Sequence, residues 1–213
     1  MKKLLSYVWP LTRTIDSTIN GPLELTWING KKVLDSKNAN YSYGTLQKLL
    51  TYGLSKIEIP PTATILLLGL GGGSIINPLR KRFQHKGKIT AIEIDPVVIE
   101  IAKEEFFIDE SKNLQIVCQD ASHFVYKCVH HYDIIIVDLF IDNKVPEEYY
   151  SVIFWRNLLR LLNKNGKVVF NAGIHVKNYK QIDQLIQTLS DTITFEQYHD
   201  VEGANTLLIG SYI

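Results

Sequence analysis

The stretch from Ile65 to Ile76 reads ILLLGLGGGSII, and it limits the fold of this chain more than any other. A run of bulky apolar residues ends in Gly69, and Gly71, Gly72 and Gly73 follow almost at once. Glycine loses more conformational entropy on folding than any other residue, so the cluster marks backbone that must turn tightly or approach something closely. The apolar run is short for a helix and suits a strand buried on both faces. The helix-like SIINPLRKRFQ follows directly. Strand, glycine turn and helix are the parts of a parallel α/β sheet. For the loop alone, a tight turn without a ligand is the plain alternative.

The same alternation fills the chain from about residue 45 onward. TLQKLLTYGLSKI reads as a helix and KITAIEI as a second strand. Asp95-Pro96 opens the helix PVVIEIAKEEF, with an N-cap and then proline at the first helical position. LQIVCQD and YDIIIVDLF are strands, and EEYYSVIFWRNLLRLLN reads as one long amphipathic helix closed by Asn165-Gly166. KVVFNAG, the helix NYKQIDQLIQTLS, and the strands TITFEQY and NTLLIGSY complete the pattern. The last two strands lack a helix between them and should pair antiparallel at the edge. Residues 1–45 differ. LELTWINGKKVLDS carries Asn29-Gly30 between alternating apolar residues, a strong hairpin signal that puts Leu23, Leu25 and Trp27 on one face. LLSYVWP and TRTIDST read as short strands ahead of it. The expected division is a β-hairpin segment over 1–45 and a ligand-binding domain over 46–213.

Composition removes several function classes. The 213 residues are 46% hydrophobic and 21% charged, with a formal net charge of +1. No bulk field favours nucleic acid or an anionic membrane, so neither is expected as a partner. Arg80-Lys81-Arg82 reads as a solvated helix face. Two cysteines, Cys118 and Cys128, are too few for a disulfide scaffold, which points to a reducing, cytoplasmic setting. Cys118, inside LQIVC, is expected to pack as a small hydrophobe. No His/Cys spacing fits a zinc site, and His130-His131 lies at the amino end of its strand. The open edge of the N-terminal hairpin leaves a homodimer possible.

Ligands of open α/β sheets bind beyond the carboxyl ends of the strands. The first strand delivers Gly69 to Ser74, where small residues and the free N–H groups of a helix start favour close approach of a ligand. The second delivers Glu93, about two dozen residues beyond Gly69, where an acid accepts hydrogen bonds from ribose hydroxyls. Asp95 beside it is the helix cap. The third delivers Asp120 and Ala121, suited to an adenine amine and ring nitrogen, although a lone Asp there caps a helix equally well. The fourth delivers Asp138, facing the reacting end of a ligand laid across the first strand; Asp133, at the opposite end, is structural. Taken together, the four strand ends point to adenosine held as in enzymes that use S-adenosylmethionine (SAM).

These segments, with NANYSYGTLQ, QDASHF and VPEEYYSVIFWRNLLRLLNKNGKVV, resemble the spermidine synthase branch of the class I SAM-dependent methyltransferase superfamily over most of the chain. The resemblance implies a Rossmann-like α/β fold: a seven-stranded, mostly parallel sheet with an antiparallel edge strand and a small N-terminal β-hairpin segment. It implies SAM, or its product S-adenosylhomocysteine, over Gly69, Gly71, Gly72, Glu93, Asp120 and Ala121.

Three departures separate the chain from polyamine synthesis. The family's glycine loop carries an acid that holds the amine of decarboxylated SAM; Gly72 stands there. A carboxylate there would repel the carboxylate of intact SAM and attract the bare aminopropyl amine; glycine removes both effects and so favours intact SAM. The family's DSSDP segment is replaced by Asp138-Leu139-Phe140-Ile141-Asp142, which keeps the first acid as Asp138 and either loses the second or displaces it by one residue to Asp142. Its YHE-type segment becomes Tyr43-Gly44-Thr45. The expected activity is therefore a SAM-dependent transferase, a methyltransferase with a small-molecule acceptor, in which Asp138 orients or deprotonates the acceptor. Tyr41 and Tyr43 either wall the acceptor pocket or pack the hairpin. An aminopropyltransferase with unusual anchors and a non-catalytic binding domain remain the alternatives.

Overall fold

The computed structural model describes residues 2–36, 40–42, 44–174, 176 and 179–213, with backbone alone for 40–42. A short helix, α1 (Lys2–Leu5), precedes a four-stranded antiparallel sheet of β1 (Leu11–Ser17), β2 (Gly21–Ile28), β3 (Lys31–Asp35) and β4 (Asn40–Ser42). The β2–β3 turn is Asn29-Gly30, both with positive φ, as an Asn-Gly hairpin requires. LLSYVWP is not a strand. Ser6 is buried, its hydroxyl donates to Lys3 O and accepts from Gly30 N, and these local bonds hold the segment as a helical turn on the hairpin.

The larger sheet contains β5 (Ile65–Leu68), β6 (Ile89–Glu93), β7 (Leu114–Cys118), β8 (Tyr132–Val137), β9 (Leu162–Ile174), β10 (Ile193–Val201) and β11 (Asn205–Tyr212). Their spatial order is β10-β11-β9-β8-β5-β6-β7. β5 to β9 pair parallel, and β11 runs antiparallel to both β9 and β10. Order and direction are those of the expected Rossmann-like fold. Helices α2 (Thr45–Leu54), α3 (Ile76–Lys81) and α4 (Pro96–Phe106) supply one layer, and α5 (Ala121–Lys127), α6 (Val152–Arg160) and α7 (Lys180–Leu189) the other. In β5, Ile65 and Leu67 enter the first core while Leu66 and Leu68 enter the second, and all four are fully buried. That is why the strand reads as an unbroken apolar run.

Leu23, Leu25 and Leu34 of the hairpin join the first core together with Leu50, Leu54 and Ile65. Trp27, on the same strand face, stays half-buried, with the Lys32 ammonium 5.1 Å from its ring centre. Four further expectations are corrected. The long helix is broken: Glu147–Tyr150 forms a 3-10 turn, and Ser151 caps a separate α6 by accepting from Phe154 N at 3.2 Å. That helix ends at Arg160, and Asn165-Gly166 instead lies where β9 loops out between its pairings with Tyr132 and Ile134. Arg80 is half-buried; its guanidinium donates to the carbonyls of His85, Gly87 and Asn113, tying the loop before β6 to the loop before β7, while Lys81 and Arg82 stay exposed. Cys118 is exposed because β7 is the sheet's edge, and Cys128 is the buried thiol.

Asp95 joins the two sheets. Its Oδ1 caps α4 by accepting from Val97 N at 2.9 Å. Its Oδ2 accepts from the Ser17 hydroxyl at the end of β1 and from Asn20 Nδ2 in the β1–β2 turn. The side chain is 1% exposed, so each partner lost leaves a buried polar atom unsatisfied. Asp95→Ala should therefore lower unfolding free energy by about 2–3 kcal/mol, a cap plus buried hydrogen bonds. Urea denaturation checks this; an unchanged midpoint would show that the turn is held by other contacts.

Candidate active site

Gly69 must be glycine for two reasons. Its φ is +90°, and a Cβ there would run into the carbonyl of Asp138. The first strand's loop thus lies hard against the end of β8. Next to it, Glu93 is 9% exposed and accepts from Gly71 N at 3.0 Å through Oε2 and from Asp95 N at 3.1 Å through Oε1. Burial raises its pKa, opposed by these backbone N–H bonds. A carboxylate has about four lone-pair positions, so both oxygens retain capacity for hydroxyl donors.

A cavity of about 300 Å³ opens at these strand ends. Gly69, Gly71, Glu93, Asp120, Ala121 and Asp138 all line it. Gly72 is buried behind the loop and does not. Asp120 caps α5, its Oδ1 accepting from His123 N at 2.7 Å, and still faces the cavity, so the two readings of this residue coexist. Asp133 is structural, bonded to Thr64 N and Asn163 Nδ2. Tyr43, and the side chain of Tyr41, lie outside the described residues.

Asn171, Asn205 and Glu148 line the cavity and escaped the sequence reading, whereas Asp142, also in the lining, was named there. Asn171 Nδ2 donates to Asp138 Oδ1 at 2.9 Å, and Asn205 Nδ2 donates to Asn171 Oδ1 at 3.2 Å. Asn171 follows Phe170, the last β9 residue paired with β8, and was open to the strand-end rule. Asn205 begins β11, and because β11 is antiparallel its amino end lies at the same edge. Glu148 accepts from the Ser122 hydroxyl, and Asp142, at φ +53°, accepts from Ser36 Oγ at 2.7 Å. Nothing in their local sequence announces these pairings.

The lining is strongly acidic. Glu93, Asp120, Asp138, Asp142 and Glu148 face the cavity, and no Lys, Arg or His lines it among the described residues. Leu139 and Phe140 give it an apolar side. Asp138 is pushed up to about 6 by burial, with Glu93 repelling its charge and Asn171 partly stabilising it. The Tyr149 hydroxyl is likewise raised, by burial and then by the charges of Asp120 and Glu148. Such a site attracts a cation and offers a carboxyl that gains and loses a proton near neutrality. Among the described residues no group of acids, histidines and cysteines is arranged to hold a metal ion, and no helix is long and apolar enough to cross a membrane.

Residues 52–200 match the spermine/spermidine synthase domain. The chain belongs to that family. Its sequence is 31% identical to a polyamine aminopropyltransferase of Vibrio vulnificus over 56% of this chain and 41% of that protein. It is 25% identical to the eEF1A lysine and N-terminal methyltransferase homolog of Drosophila melanogaster over 68% of this chain and 24% of that protein. The matches thus span less than half of these relatives' own lengths. The fold superposes on human methyltransferase-like protein 13 in complex with SAH (TM-score 0.68, 20% identity, 80% of this chain and 83% of that one). It also superposes on spermidine synthase from Thermotoga maritima (TM-score 0.65, 17% identity, 93% and 72%).

Asp138 carries a stability cost with a defined pH window. Its carboxyl holds a proton to about pH 6 in the folded chain, against 3.8 ordinarily. Between these values the folded state binds more protons, so stability falls as pH rises, and the full penalty applies above about pH 6. Asp138→Asn should stabilise the unliganded protein by about 1–2 kcal/mol at neutral pH, less than the full linkage value because the group opens on the cavity. The gain should vanish near pH 4. Parallel urea titrations at the two pH values test this, and a gain independent of pH would refute it.

Proposed function

We propose that this chain is a SAM-dependent transferase whose reaction is methyl transfer to a small-molecule amine. The observation that carries the reading is the row of strand-end groups Gly69–Gly71, Glu93, Asp120–Ala121 and Asp138 around one cavity. Their chemistry fits the cofactor. Glu93 retains acceptor capacity for ribose hydroxyls, Asp120 and Ala121 suit adenine, and the acidic lining suits a sulfonium. Bound SAM would supply a methyl group on positively charged sulfur. The protein's part is positioning and proton transfer. Asp138, held by the Asn205–Asn171 relay, accepts an N–H of the acceptor and takes the proton released as nitrogen gains the methyl. Leu139 and Phe140 offer the acceptor an apolar wall. Relatives named for lysine and N-terminal methylation and for aminopropyl transfer support an amine acceptor.

A second reading has its own observation. Intact SAM bears a carboxylate, and no cation among the described lining residues meets it. Decarboxylated SAM, with only positive groups, suits the lining electrostatically and would make the chain an aminopropyltransferase despite Gly72. Calorimetric titration with both compounds separates the two. Tighter binding of SAM supports methyl transfer, tighter binding of decarboxylated SAM supports the second reading, and no heat from either removes both.

For either transfer, Asp138→Asn should lower kcat by about 10²–10⁴-fold while leaving cofactor affinity within a few-fold. The wild-type rate should rise with an apparent pKa of about 6, as the base ionises. A flat pH profile, or full activity in the variant, would exclude Asp138 as the base.

A further inference from the structure

A second concavity, of about 570 Å³, lies on the outer side of the helix that walls the cavity. Thr45, Leu46 and Leu49 of α2 face the acidic cavity, whereas Gln47, Lys48, Thr51 and Tyr52 of the same helix, with Ser55 just after it, face this groove. Its far wall is α3 and the residue that follows, with Asn77, Pro78, Lys81 and Arg82. Three cations line it against the single acid Glu202, which lies 3.9 Å from Lys48. A chain of net charge +1 thus separates its charge, with acids on one side of α2 and bases on the other. Gln47 donates to Ser74 O at 2.9 Å and braces α2 against the end of the glycine loop.

We propose that this groove docks an acidic segment of a partner polypeptide. Lys81 and Arg82 are exposed to meet carboxylates, and exposed Lys48 already faces Glu202. Asn77 offers an amide donor and acceptor for an extended backbone, and Pro78 gives an apolar floor. Nucleic acid fits the same groove poorly. Its aromatic ring, Tyr52, is taken: Tyr198 meets it edge-on at 5.7 Å and the Lys56 ammonium sits 4.6 Å from its centre. These contacts compete with a stacking base, and three cations are few for a phosphate backbone.

The test is fluorescence anisotropy of the whole protein with a short labelled poly-glutamate peptide, and with a single-stranded oligonucleotide of equal charge. The peptide should bind saturably and more tightly than the oligonucleotide, and excess SAM should not displace it. The double substitution Lys81→Glu with Arg82→Glu should weaken it about tenfold or more without moving the thermal midpoint. Lys127→Glu, on exposed α5, should leave binding unchanged. No peptide binding, preference for the oligonucleotide, displacement by SAM, or equal sensitivity to Lys127→Glu would overturn the proposal.

Discussion

The buried carboxylate of Glu93 is the constraint on which the rest of the site depends. A charge in this position is costly unless donors surround it. The chain supplies them from Gly71 N on one side and Asp95 N on the other. Those two bonds fix the glycine loop relative to the start of α4. Asp95, set by the same turn, then reaches Ser17 and Asn20 and fixes the appended sheet. One acid at a strand end thus sets the positions of a loop, a helix and a second sheet.

The cost of collecting acids in one cavity appears in their proton affinities. Glu93 and Asp138 are both raised, first by burial, and a neighbouring charge adds to it: Asp95 for Glu93, and Glu93 for Asp138. Asn171 offsets part of this for Asp138, and Asn205 orients the Asn171 amide by donating to its oxygen. A positively charged ligand would relieve the same repulsion directly.

Much of the architecture was legible in the sequence because its signals are local. Unbroken apolar strands, Asp95-Pro96 and Asn29-Gly30 each specify an element through adjacent residues. The glycine loop, Glu93, Asp120 and Asp138 were legible because topology puts every parallel strand's carboxyl end at one edge. What was missed depends on contacts distant in sequence. Ser6 makes a helical turn by bonding to Gly30, and Ser151 breaks a helix whose apolar periodicity continues through it. Arg80 looked like part of a charged run until the carbonyls of His85, Gly87 and Asn113 were found around it. Asn205 reaches the site only because β11 reverses direction.

The hydrogen bond from Ser36 to Asp142 joins the end of the appended sheet to the loop after β8. Asn20 from the same sheet also faces the cavity. Gly71, Glu93, Asp120 and Ala121, by contrast, all come from the β5–β7 half of the large sheet. Under the proposed activity, cofactor and acceptor would be read by different parts of the chain. Selection could then alter the hairpin and the β8 loop together, as one inherited unit, and change what is modified without disturbing what supplies the group. Such a division gives one scaffold a route to diverge into enzymes with different acceptors.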